Sequence, residues 1–73
     1  MCLAVPMMVI QIDGPIALVE AEGVSRQARV DFLPNLRVGE YVLVHAGLAI
    51  ERVDAAEAAE TLRLVRMLAN ADS

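Results

Sequence analysis

Residues Ile16–Phe32 read IALVEAEGVSRQARVDF, and the fold follows from how this stretch is divided. Ile16 to Glu22 is apolar and β-rich, and Glu22-Gly23 supplies a turn because Gly accepts positive φ at little cost. Val24 to Phe32 then alternates. Val24, Ala28, Val30 and Phe32 share one side, broken by Arg26, while Ser25, Gln27, Arg29 and Asp31 share the other. One wet face and one dry face predict an antiparallel strand. Two strands joined by a short turn make a hairpin, and the remaining chain must supply its neighbours.

Upstream, Leu3 to Ile12 carries Val5, Val9, Ile10 and Ile12. Pro6 cannot donate a ladder hydrogen bond, so it fits an edge or the start of a strand. Asp13-Gly14 is a strong turn signal, and Pro15 removes one more donor just beyond it. Downstream, Leu33 to Gly39 reads as a loop. Tyr41 to Ala46, YVLVHA, is a fourth strand, apolar on both faces and therefore expected to be central. Gly47 breaks it, and Leu48 to Val53 makes a fifth. Five short strands with frequent turns predict a mainly β fold, a small five-stranded barrel of the OB type.

At Asp54 the period changes. Asp54-Ala55-Ala56-Glu57 has the form of a capping box, with Asp54 accepting from first-turn amides. Ala55 to about Ala69 lacks Gly and Pro and is rich in helix formers. Ala58, Leu62, Val65 and Ala69 fall on one face, and Leu64 and Met67 nearly opposite. A helix on so small a barrel buries one face, so the Leu64–Met67 patch is either ordinary surface or a partner's seat. The expected organisation is a single domain over 1–73, with barrel 1–53, helix 54–70 and tail 71–73.

With 73 residues, the chain can bury only about 60% of the surface it exposes when unfolded. Its apolar fraction of 58% excludes a disordered chain. A single Cys excludes an internal disulfide and suits a reducing compartment, so the cytoplasm is the expected location. The net charge is −4, and all six basic residues are Arg, scattered without a stripe that could neutralise phosphates. Nucleic-acid binding is not expected. No apolar run is long enough to span a bilayer, and no basic residue precedes the N-terminal apolar segment, so neither a membrane span nor a signal peptide is expected.

Two residues carry candidate chemistry. Cys2 follows the initiator Met, which is commonly removed before small residues. Removal places thiol and α-amino group on one residue, and a protonated amine favours thiolate. Such a sulfur is a soft metal ligand or a nucleophile. It can equally be an incidental Cys in a frayed end. His45, the only His, is either a half-buried structural residue or a metal ligand or proton acceptor beside Cys2. One Cys and one His cannot complete a structural zinc site. No Cys-x-x-Cys, phosphate loop or Ser/His/Asp set is present, so an independent enzyme is not expected. A thiol enzyme using Cys2 and His45 as nucleophile and base needs a pocket that so small a chain hardly supplies.

MCLAVP at the start, GEYVLVHAGLAI in the middle and ERVDAAEAAETLRLV in the tail resemble the HypC/HupF/HybG family of [NiFe]-hydrogenase maturation chaperones. The likeness covers nearly the whole chain, in the same order. It implies an OB-like barrel with a C-terminal helix and no enzymatic activity. It implies as partners a HypD-type iron–sulfur scaffold and the hydrogenase large-subunit precursor, with HypE as a further candidate. It implies as cargo an iron carrying cyanide and carbon monoxide, Fe(CN)2CO, held transiently with no permanent cofactor. The family's essential cysteine matches Cys2, its signature histidine His45 and its motif proline Pro6. Expected partner contacts are Cys2, Leu3, Pro6, His45, Leu64 and Met67, with Cys2 sharing the iron and His45 a candidate second ligand. Met7-Met8 departs from the small and polar pair found in many relatives, and the loop before Val38 is short. The alternative is a thiol-independent OB-type adaptor.

Overall fold

The computed structural model describes residues 5–71, with side chains through Leu68. Five strands and one helix follow in order: β1 (Pro6–Asp13), β2 (Ile16–Ala21), β3 (Val24–Arg29), β4 (Tyr41–His45), β5 (Leu48–Val53) and α1 (Ala55–Ala71). The strands close a barrel in the order β1-β2-β3-β5-β4, the expected OB-type arrangement. Pro6 heads β1, where a missing N–H costs nothing. The chain then serves two neighbours at once: Met8 and Val9 lie opposite Glu20 and Val19 of β2, while Pro6, Met7 and Met8 lie opposite Leu43, Val42 and Tyr41 of β4. A bulge between Val9 and Gln11 bends β1 between these tasks, as one extra residue in a ladder does.

The core is built from small and medium side chains: Met7, Val9, Ala17, Val19, Ala28, Val30, Val42 and Ala49. They recur at period two, and Ile12, Leu33, Leu36 and Val44 pack around them. In a barrel this narrow, facing Val and Ala fill the axis where larger residues would collide. The Val30–Glu40 connection is held down by polar contacts. Glu40 accepts from Arg37 N at 2.6 Å and from Arg52 Nε at 3.1 Å, and Arg52 also donates to the Pro34 carbonyl.

Two expectations about β3 are corrected. β3 ends at Arg29 rather than Phe32: one step beyond the Ile16–Arg29 pair, Val30 donates to the Pro15 carbonyl at 2.8 Å, but Pro15 has no N–H to return the bond. Phe32 is therefore 67% exposed and outside the core. Val24, counted on the dry face, is 54% exposed, since it begins β3 at an open end of the barrel. β4 is paired on both sides, as expected of a central strand, although only its Val42 is fully buried and Leu43 is half-buried. Its apolar sequence does not come from burial of both faces.

The helix begins where the capping box places it. Asp54 Oδ2 accepts from Ala56 N at 3.1 Å, and the Asp54 carbonyl accepts from Ala58 N at 2.8 Å. It runs one residue past the expected end, to Ala71. Ala58 is fully buried, Leu62 and Val65 half-buried, and Leu64, Met67 and Leu68 exposed. At 1.5 Å per residue the helix is about 25 Å long, and the molecule measures 39 × 22 × 22 Å.

Candidate functional site

Two tight turns shape one end of the barrel. Glu22 (φ 51°) and Gly23 (φ 81°) join β2 to β3, and Ala46 (φ 55°) and Gly47 (φ 78°) join β4 to β5. Positive φ at both central residues is the primed hairpin turn, whose twist matches that of the flanking strands. Glu22 and Ala46 are neither Gly nor Asn, so both turns hold a residue in a disfavoured region. Between these turns, the head of β1 and the helix lies a groove of about 420 Å³. Val5, Met7, Val24, Val44 and Val65 give it an apolar floor, and Glu22, Arg26 and His45 stand on its polar side.

Its charges are partly committed. Arg66 on α1 donates to both Glu22 carboxylate oxygens, at 3.0 and 2.9 Å, and this bond to Glu22 raises the Arg66 pKa above its ordinary value. The pair fastens the helix to the β2–β3 turn, but both partners meet solvent, so its energetic weight is small. Arg26 and His45 form no ion pair or side-chain hydrogen bond with a described residue. His45 ends β4 opposite Leu48 and is exposed, unlike the half-buried structural histidine that was one reading of the sequence. Exposure leaves its imidazole able to meet a metal or a partner.

The remaining sequence candidates fall in different places. Pro6 is fully buried at the head of β1. Leu64 and Met67 are 48% and 55% exposed on the helix, away from the groove that Val65 lines. Cys2 and Leu3 lie outside the described residues. Among the described residues, no three His, Cys, Asp or Glu side chains cluster as a metal site, and no helix is long and apolar enough to cross a membrane. Sequence reasoning missed Val44, Val65 and Arg26 as groove residues. The only signal was Arg26 itself, a charge interrupting the apolar side of β3.

These features define a class: a small OB-type barrel with a C-terminal helix and an apolar groove at the head of its first strand. Within that class the chain belongs to the HupF/HypC family, whose sequence profile matches residues 1–65. It is 40% identical over 70 residues to the hydrogenase maturation factor HypC of Helicobacter hepaticus, covering 93% of this chain and 81% of that protein. With the HypC of Rhizobium leguminosarum bv. viciae the identity is 36% over 74 residues, covering 100% and 99%. With that of Synechocystis it is 38% over 68 residues, covering 85% and 90%.

Proposed function

We propose that this chain is a hydrogenase maturation factor, a non-enzymatic chaperone that carries iron as cargo. The Cys2 thiolate holds the iron of an Fe(CN)2CO unit jointly with a HypD-type scaffold, then helps deliver it to the large-subunit precursor. The carrying observation is the family match from residue 1, which includes Cys2 in its MCLAVP setting. The fold supports it. Cys2 precedes Val5 by three residues, a span of at most about 10 Å, and Val5 lines the same groove as exposed His45. A thiol on so short a tether can meet a partner at that groove.

The chemistry fits a carrier. Iron already bearing cyanide and carbon monoxide needs few further ligands. A single thiolate suits a soft iron centre, and a shared, open site exchanges its cargo when a fuller ligand set is offered. His45 is available as a second contact on the iron or its ligands. The cytoplasm is the compartment that suits a free thiol.

The test compares wild type with Cys2→Ala. The variant keeps the thermal unfolding curve of the wild type but no longer co-purifies with the HypD-type scaffold. Infrared bands of bound cyanide and carbon monoxide appear only in the wild-type complex. Normal hydrogenase maturation in cells that carry only Cys2→Ala would overturn the reading. The exposed Leu64, Met67 and Leu68 face favours a second reading, a thiol-independent adaptor. In that case Cys2→Ala binds the precursor as well as wild type does.

A further inference from the structure

The barrel closes between β3 and β5 through a single parallel pair, Arg29 opposite Leu48, with Arg29 N–H donating to the Gly47 carbonyl at 2.8 Å. Backbone groups in a strand point alternately to the two sides. Arg29 faces β5, so the N–H and C=O groups of Ser25 and Gln27 point the same way. No described strand pairs with them there, because β2 takes β3 only along its other side. Unpaired edges are templates for another strand, and proteins normally blunt them. Here Val24, Ser25, Arg26 and Gln27 are all exposed.

The open edge adjoins the groove. Val24 and Arg26, two residues apart on one face of β3, both line it with Val44, His45 and Val65. The acidic member of the groove, Glu22, is taken up by Arg66, whereas Arg26 has no anion among the described residues. Within a chain of net charge −4, this spot offers an uncommitted cation beside an apolar floor.

We infer that the Val24–Gln27 edge receives an extended segment of a partner protein by strand addition, with an apolar side chain of that segment on Val24, Val44 and Val65 and a carboxylate two residues away on Arg26. Main-chain hydrogen bonds to Ser25 and Gln27 give affinity, and the alternate side chains give selectivity. The period of two in both strands brings the apolar and acidic residues to the same face. This surface does not use the thiol, so it stands or falls apart from the iron-carrying reading.

The experiment uses three blocked hexapeptides added to the full chain carrying Cys2→Ala. The first alternates valine and threonine with one glutamate. The second has glutamine for that glutamate. The third has alternate amides of the first N-methylated. The first peptide is expected to shift the Ser25 and Gln27 amide signals in nitrogen-15 spectra and to slow their hydrogen exchange. The glutamine peptide binds about tenfold more weakly, the usual weight of a charge-assisted hydrogen bond, and the N-methylated peptide does not bind. Arg26→Gln, at an exposed position, removes the preference for glutamate. Four results overturn the inference: no binding by the first peptide, shifts centred elsewhere, equal binding of glutamate and glutamine peptides, or Ser25 and Gln27 amides already protected in the free chain. The last would mean that the chain or a second copy covers its own edge.

Discussion

The barrel and the helix of this protein are held by different means. In the barrel, Val9, Val19 and Val42 are fully buried, and the strands are laddered to one another all round except along β3–β5, which meet at one pair. The helix is continuous in its own hydrogen bonds but rests on the barrel through Ala58, half-buried Leu62 and Val65, and the surface pair Arg66–Glu22. The difference teaches where specificity can reside. The barrel cannot change without losing its core, while the helix and the open end beside it present surface that a partner can use at little cost in stability.

Breaking the barrel side of this contrast takes the loss of two buried carbons. Val42→Ala removes about 0.8 kcal/mol per lost methylene and leaves a cavity, so a loss of about 2 kcal/mol is expected in urea denaturation. That is a large share of the stability of so small a domain. Next comes the seam. Ala58→Leu overpacks a fully buried site and should cost about 1–2 kcal/mol, with far-UV helicity retained because the helix is capped independently of its docking. If helicity falls with stability, the helix depends on the barrel for its existence and the contrast fails.

The cap itself ranks third. Asp54→Ala removes the acceptor for Ala56 N–H and should cost about 1 kcal/mol, seen as a lower midpoint in thermal unfolding and as earlier hydrogen exchange at Ala55–Ala58. The smallest effect sharpens the contrast from the free side. Leu64→Gln with Met67→Gln should stay within about 0.5 kcal/mol of wild type, as exposed substitutions do. A larger loss would show that the chain itself covers this face. Unchanged stability with lost retention of partners would assign the face to a partner.

How far the sequence could be read differs in the same way. Gly23 and Gly47, with apolar runs on both sides, mark two hairpins, and the change of period at Asp54 marks the helix start to within a residue. Those features depend on neighbours along the chain. The end of β3 was illegible because its partner strand sets it: Pro15, next in register to Val30, accepts one bond and has no N–H to return another. Nothing in VDF distinguishes a strand that continues from one that turns. Phe32 falls on the dry face of the expected strand for that reason. The candidate site was half legible: His45 stood out by being the only His, but its exposure depends on its place at the tip of the β4–β5 hairpin. Val44 and Val65 carry no local mark of a groove.

The sequence by itself determined the five strands, the helix, the cap at Asp54, and the match of the chain from residue 1 onward to one family. Local backbone preferences and hydrophobic period act over a few residues, so they are written in order along the chain. Only the tertiary structure decided that β3 and β5 touch at one pair, that no described strand pairs with the edge at Ser25 and Gln27, and that Val5, Arg26, His45 and Val65 face one groove. Those outcomes depend on barrel closure, in which strands far apart in sequence must share one circumference. That geometric sum has no signature at any single residue.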